Sequence, residues 1–241
     1  MLVIGPDPVA TDCKAWFDSS EYPGSGTTWS DLSGNSNNAS FAYGGLPTHT
    51  AGTSGFFTFD NTANKRAIIN PFDPAIVASG SRAGAACIEV WAQGNDRANA
   101  ELYDAHTGTS QGDRLSMRYQ WGGNDHWNSY ISWTGGSANL PSTGTAGDTN
   151  WHQIVANVDV NTLPGTSNKR EIYIDGALSN SFTSWNGVFT SSQVSRFTIG
   201  GQGNTGSPWD GKIAIVRIYD RGLTASEVLK NFNSARKRFG L

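Results

Sequence analysis

The densest group of side chains that could bind a ligand lies between Tyr119 and Trp133, where five aromatic residues flank a polar loop. Aromatic ring faces stack on the C–H surfaces of sugar rings, and nearby amide and carboxylate groups hydrogen-bond the sugar hydroxyls. The segment therefore predicts a ligand-binding patch. Its candidate residues are Trp121, Asn124, Asp125, His126, Trp127 and Tyr130.

A packing role explains the same aromatic residues almost as well. Alternate residues of a strand share one face, so these rings could form cross-strand pairs in a core. The residues that share a face on this basis are Met117, Tyr119 and Trp121, and then Trp127, Ile131 and Trp133. We expect most of these rings in the core, with Asn124, Asp125 and His126 exposed in the loop.

The acidic residues offer no usable glycosidase pair: Glu171 and Asp175 have the right spacing, but Asp175 is needed for a turn. Two catalytic carboxylates on one strand reach the same face when they stand two or four residues apart. Glu89 is followed by Trp91 and Gln93, so it is interpreted as a solvated or hydrogen-bonded strand residue. Zinc-site spacing is also missing among the histidines, which are His49, His106, His126 and His152. The sequence thus favours a protein that is not an enzyme.

Composition narrows the fold class and the partners. The 241 residues include 29 glycines and 9 tryptophans but only 15% charged residues, which is typical of short strands joined by tight turns. A net charge of −3 argues against nucleic-acid or membrane partners. Cys87 lies in an apolar, strand-like run and is expected as a buried free thiol, far from Cys13. The first residues do not resemble a signal peptide, so we expect synthesis in a cytosol.

Local patterns predict most of the elements. Period-two alternation predicts strands over 57–60, 88–91, 154–160, 171–174 and 196–199. Asp175 and Gly176 predict a two-residue hairpin turn. Thr224 and Glu227 predict a capping box that opens a helix whose side chains Val228, Leu229 and Phe232 face the sandwich. Basic residues follow towards the C-terminus, where they oppose the helix dipole.

Seven motifs in the same order resemble the laminin-G-like branch of the concanavalin-A-like lectin/glucanase superfamily. They lie at 22–39, 57–61, 88–91, 151–155, 172–176, 209–213 and 216–223. The resemblance implies an all-β, two-sheet antiparallel jelly-roll sandwich over 12–241 with a short C-terminal helix. Residues 1–11 are expected to form an N-terminal extension.

The same resemblance bears on a metal site. Asp60 and Asn61 stand where the family's strand end is followed by ion ligands, so they could ligate Ca²⁺ together with loop carbonyls. The sequence departs from the family at Lys65 and Ala214, where acidic neighbours are expected. No other cofactor is predicted.

The last eleven residues, 231–241, resemble the closing segment of laminin-G-like virion proteins of tailed bacteriophages. This implies a capsid decoration or a tail- or fibre-associated subunit, located in the virion. Its expected partners are other virion proteins and a host-surface glycan, and the subunit could be oligomeric. The alternative is a soluble carbohydrate-binding lectin module. A glycoside hydrolase of the same fold is the remote alternative.

Overall fold

The computed structural model describes residues 6–61, 65–70, 84–95, 100–106, 114–119, 126–133, 136–143, 148–160, 168–185, 196–203 and 206–241. These residues form strands β1 (Cys13–Asp18), β2 (Thr28–Trp29), β3 (Ala39–Tyr43), β4 (Thr48–Thr50), β5 (Phe56–Phe59), β6 (Arg66–Ile69), β7 (Gly84–Gly94), β8 (Ala100–His106), β9 (Arg114–Tyr119), β10 (Trp127–Trp133), β11 (Gly136–Pro141), β12 (Trp151–Val160), β13 (Asn168–Ile174), β14 (Ala177–Trp185), β15 (Arg196–Ile199) and β16 (Gly211–Tyr219). They also form helix α1 (Ala225–Ala235) and 3-10 turns at Ser19–Glu21 and Arg236–Phe239.

The strands pair into two antiparallel sheets of eight. The first has the order β14-β13-β12-β7-β16-β5-β4, with β1 also paired to β16, and the second has the order β11-β10-β9-β8-β15-β6-β3-β2. One continuous core fills the space between their inner faces; its largest members include Trp29, Trp127, Trp209, Phe17, Phe57 and Phe59. The predicted all-β sandwich, its five predicted strands and its C-terminal helix are confirmed.

The predicted hairpin is also confirmed. Asp175 and Gly176 have φ of 51° and 79°, and Ile174 pairs directly with Ala177. Two residues with positive φ match the right-handed twist of the strands they join, which is why this dipeptide forms a tight turn between β13 and β14.

Helix α1 packs on the outer face of the first sheet. Its capping box forms as predicted: Thr224 Oγ1 accepts from the Glu227 N–H, and Glu227 accepts from the Thr224 N–H. Val228 is buried and Phe232 stacks on Trp91, but the predicted inward position of Leu229 is wrong because 47% of it is exposed. The helix inserts Asn231 instead.

The two ends of the described chain are fixed to this sheet. The Val9 N–H donates to Asn231 Oδ1 at 2.7 Å, so part of the predicted 1–11 extension packs on the domain. Arg238 donates to both oxygens of Asp18, at 2.6 and 3.0 Å. The basic residues near the C-terminus therefore stand mostly in the turn after α1, and one of them forms an ion pair.

Two further expectations are resolved. Cys13 and Cys87 are both buried free thiols, as expected for Cys87. Among the described residues, no helix combines the length and the hydropathy needed to cross a membrane.

Candidate functional site

The outer face of the second sheet carries an unusual layer of charged side chains. On β9, Arg114, Ser116 and Arg118 point outward, while Leu115, Met117 and Tyr119 belong to the core. This follows from the period of two along a strand. We call the outward set the polar face; its members on β8, β9 and β10 are Glu101, Asp104, Arg114, Ser116, Arg118 and Tyr130.

A β-bulge in β8 brings two carboxylates to this face. The register shifts between Glu101 and Tyr103, so Glu101 lies opposite Arg118 and Asp104 lies opposite Ser116. A bulge adds one residue to one strand and so reverses the alternation beyond it. Two carboxylates three residues apart therefore share a face, a spacing that regular strand alternation excludes.

Arg114 bridges the two carboxylates. Its Nη2 donates to Glu101 Oε2 and its Nε donates to Asp104 Oδ1 at 2.6 Å. Glu101 Oε1 accepts from Arg118 Nε at 2.9 Å, and Asp104 Oδ2 accepts from the Gly203 N–H at 2.9 Å. All four carboxylate oxygens thus have a donor within the chain, as buried charges require.

Burial sets the protonation of Glu101. The side chain is fully buried, and loss of solvation raises its pKa to about 7, with the charge of Asp104 acting in the same direction. Arg114 and Arg118 oppose this rise without cancelling it.

Tyr130 covers Arg118. The guanidinium carbon of Arg118 lies 3.4 Å from the centroid of the Tyr130 ring, and Tyr130 is half-buried whereas Arg118 is buried. A guanidinium against a ring face is a favourable cation–π contact that also fixes the plane of the ring. Because Tyr130 is the more exposed of the two, it presents an oriented aromatic surface at the edge of the polar face.

The predicted ligand-binding residues separate into three groups. Tyr130 lies on the polar face, and His126 is half-buried just before β10. Trp127 lies in the core: its ring centroid is 4.6 Å from that of Tyr119 and 5.7 Å from that of Trp209, so it has no exposed face to stack on a sugar. This position corrects the ligand-binding prediction for Trp127 and agrees with its alternative as a core residue. Trp121, Asn124 and Asp125 lie outside the described residues.

The predicted metal pair has other partners. Asp60 Oδ2 accepts from Lys65 Nζ at 2.7 Å, and Asn61 Nδ2 donates to Asp210 Oδ2 at 2.8 Å. An ammonium group on Asp60 competes with a cation for the same oxygen. Across the described residues, no three His, Cys, Asp or Glu side chains converge as a metal site would require. Calcium at Asp60 and Asn61 stays a prediction, and the Lys65 contact opposes it.

Glu89 has a structural role on the other sheet. It is fully buried and accepts from Arg217 at 2.9 Å, Gln153 at 2.9 Å, Trp91 at 3.1 Å and Asn231 at 2.6 Å. The Asn231 contact ties α1 to the sheet. Of its two predicted environments, the hydrogen-bonded one is therefore correct.

A cleft of about 510 Å³ opens beside the start of α1; its lining includes Asn157, Lys169, Glu171, Tyr173, Leu178 and Leu223. Its polar groups already bind one another. Glu171 accepts from Lys169, Asn157 and Tyr173, and Asn157 also exchanges two bonds with the Leu223 backbone. A ligand in the cleft would therefore have to compete with these internal hydrogen bonds for the polar groups of the lining.

Comparison with known proteins places the fold. Residues 74–229, more than half of the chain, match the family model of the concanavalin A-like lectin/glucanases superfamily. The chain belongs to this superfamily. The predicted resemblance to the laminin-G-like branch is thereby confirmed at the level of the family, and no curated protein sequence matched the chain.

Solved structures of the superfamily's sandwich share the architecture at low identity. Domain 4 of AbnA, a GH43 extracellular arabinanase from Geobacillus stearothermophilus in complex with arabinotriose, is 15% identical with a TM-score of 0.67, over 92% of this chain and 98% of that chain. The binding domain of Botulinum Neurotoxin DC in complex with SialylT is 13% identical with a TM-score of 0.64, over 93% and 52%.

An enzyme also contains a similar unit. Trypanosoma rangeli sialidase in complex with the inhibitor DANA is 15% identical with a TM-score of 0.62, over 93% of this chain and 33% of that chain. At such identities the likeness establishes the fold alone. A sandwich of this fold occurs in binding domains and in an enzyme, so the fold by itself assigns no function.

Proposed function

We propose that the chain is a non-enzymatic, lectin-like binding module that holds a glycan on the polar face. The observation that carries this proposal is the Tyr130 ring held by Arg118 at 3.4 Å. A ring whose plane is fixed stacks on a sugar with little loss of side-chain entropy. His126, which lies just before the same strand, adds a polar group at the start of β10.

The superfamily neighbours support a glycan as the ligand. The arabinanase domain was solved with arabinotriose and the toxin binding domain with SialylT. These ligands belong to those proteins, and the support for this chain is the shared sandwich together with its own oriented aromatic surface.

The hydrogen bonding of the carboxylates supports binding without hydrolysis. A glycosidase acid must give a proton to the substrate, and its partner must attack the sugar or activate water. Here every carboxylate oxygen of Glu101 and Asp104 already accepts a bond from Arg114, Arg118 or Gly203. These bonds hold both carboxylates within the sheet instead of presenting them to a substrate.

A glycan array tests the binding proposal. The wild type should bind a defined set of glycans, Tyr130→Phe should retain them, and Tyr130→Ala should lose about two- to tenfold in affinity, since stacking of one ring contributes about 0.5–1.5 kcal/mol. Leu178→Ala is the matched control, because Leu178 is 52% exposed on the other sheet. Equal loss in Leu178→Ala and Tyr130→Ala, or binding unchanged in both, contradicts the proposal.

A reducing-sugar assay on the glycans that bind tests the absence of catalysis. No release of reducing ends is expected from the wild type. Release that Glu101→Gln abolishes would show instead that the carboxylate pair is catalytic.

A second candidate function places this module in the particle of a tailed bacteriophage, as a capsid decoration or tail-associated subunit. The resemblance of residues 231–241 favours it, and in the structure this segment belongs to the domain, with Phe239 stacked 4.8 Å from Trp91. Electron microscopy of particles that lack the chain tests this role. Missing density on capsid or tail supports it, and an unchanged particle contradicts it.

A further inference from the structure

Arg170 is a buried cation that has no carboxylate partner among the described residues. It lies on β13 opposite Val158, a core residue, so its side chain enters the space between the two sheets, and only 1% of it is exposed. By contrast, the buried arginines Arg114, Arg118 and Arg217 each form an ion pair with a glutamate. For Arg170, burial is the sole influence on the pKa, which it lowers to about 10.

Most donors of Arg170 have no acceptor. Nη1 donates to the carbonyl oxygens of Ser129 and Ala138, each at a long 3.3 Å. Within the described part of the chain, Nε and Nη2 have no hydrogen-bond partner, and neither does the hydroxyl of Ser129. Buried polar groups are nearly always hydrogen-bonded, and a buried unpaired charge is strongly destabilising, so these atoms indicate a site for an acceptor.

The two unpartnered nitrogens have the geometry of an anion fork. Nε and Nη2 share one side of the planar guanidinium, and their N–H bonds run parallel. This arrangement matches two oxygens of a carboxylate, sulfate or phosphate group and binds them in a bidentate manner.

The site lies near the solvent-exposed edge of the sandwich. Ala138, whose carbonyl contacts Arg170, is half-buried on the edge strand β11. Phe182, which faces Arg170 across β13 and β14, is 41% exposed. Further along the same edge, side-chain-to-backbone hydrogen bonds link β14 to β11 and to the residues after it. Asn180 donates to the Pro141 carbonyl, and Thr143 exchanges bonds with Ser179.

We infer that Arg170 binds the oxyanion group of a ligand that enters between β11 and β14. The ligand is a carboxylate, sulfate or phosphate, with Nε and Nη2 of Arg170 as bidentate donors and the Ser129 hydroxyl as a third donor. This site is on the opposite side of the second sheet from Tyr130, and it stands independently of the polar face.

Nitrogen-15 NMR of the arginine Nε–H groups tests the inference in the full chain. The Arg170 resonance, assigned by its loss in Arg170→Met, is followed while sodium acetate, sulfate or phosphate replaces sodium chloride at constant ionic strength. A saturable shift with at least one oxyanion is expected. The anion that saturates the shift at the lowest concentration identifies the chemical class of the ligand. The Arg114 Nε–H, which already donates to Asp104, should not shift. No saturable Arg170 shift with any of the three anions overturns the inference.

Thermal melting gives a second, independent measurement. The oxyanion that shifts the resonance should raise the melting temperature of the wild type more than that of Arg170→Met, because only the wild type binds it. Equal rises in both proteins contradict the site. If Arg170→Met does not fold, Arg170→Lys replaces it, since Lys keeps the charge and lacks the fork. The Arg170 shift should persist in Tyr130→Ala, which separates this site from the glycan proposal.

Discussion

The guanidinium of Arg118 lies directly over the ring of Tyr130, at 3.4 Å from the guanidinium carbon to the ring centroid. The same guanidinium donates through Nε to Glu101. One arginine therefore couples the buried carboxylates of the polar face to the aromatic ring at its surface, and the proposed ligand contact depends on that buried network.

Arg118→Lys should weaken both the fold and glycan binding. An ammonium cannot hold Glu101 and lie parallel to the ring at once, so we expect the free energy of unfolding to fall by about 1–3 kcal/mol. Urea denaturation measures the fall and the glycan array measures the loss of binding. Arg236→Lys is the control, because that guanidinium lies farther, at 5.9 Å, from its nearest ring, Phe232. Equal effects at both positions would contradict the coupling.

Glu101→Gln should flatten the pH dependence of stability. The pKa of Glu101 is raised from 4.5 to about 7, so the folded state binds the proton more tightly than the unfolded state. Its contribution is fully present below about pH 4.5 and is lost as the pH rises through about 7. The wild type should therefore lose up to about 3 kcal/mol over this range.

Urea unfolding at several pH values measures this effect. Glu101→Gln should remove most of the slope, whereas Glu21→Gln, at an exposed carboxylate, should leave it intact. A wild-type stability that rises over the same range would show that Arg114 and Arg118 outweigh burial.

Glu89→Ala should strongly destabilise the domain. The change leaves Arg217 buried without its carboxylate and removes the acceptor of Asn231, so we expect a loss of about 3–5 kcal/mol and release of α1 from the sheet. Chemical denaturation measures the loss, and hydrogen exchange of α1 amides measures the release.

The double variant Glu89→Leu/Arg217→Met tests whether the unpaired charge of Arg217 causes the loss of stability. Replacing both members of a buried pair by apolar residues removes the unpaired cation, so it should regain much of the stability. A double variant as unstable as Glu89→Ala would mean that Arg217 is not the cause.

Glu227→Gln should make the start of α1 less stable at neutral pH and less sensitive to acid. Hydrogen bonding to Arg221 lowers the pKa of Glu227 to about 2, and the Thr224 N–H adds to this. The contribution of the ionised carboxylate is present above its ordinary value of 4.5 and is lost as the pH falls towards about 2. We expect a loss of about 1 kcal/mol at pH 7, seen by urea unfolding. An unchanged acid transition in the variant would contradict this assignment.

Local signals in the sequence predicted much of the fold. Asp175 and Gly176 specify their turn by backbone preference, and Thr224 and Glu227 specify their cap by mutual hydrogen bonds. Such features depend on neighbours in sequence. Leu229 was placed wrongly because the helix buries Asn231 to satisfy Glu89, a requirement set by a strand far away in the chain.

The candidate site was less accessible to sequence reasoning. The bulge after Glu101 places two carboxylates on one face at a spacing that strand periodicity excludes. The residue types around Glu101 do not predict a bulge there. Tyr130 was predicted as a ligand contact, but its partner Arg118 was not. The buried position of Arg170 was not predicted. Arg170 and Ile172 point to the same side of β13, but that this side is the inner face is known only from the structure.

An NMR titration of the full chain with the glycan that binds best on the array tests most directly whether the polar face binds a glycan. We expect chemical-shift changes that centre on Ser116, Arg118 and Tyr130 of the polar face and are lost in Tyr130→Ala. Changes centred instead on Tyr173 and Leu223, in the cleft beside α1, would contradict it.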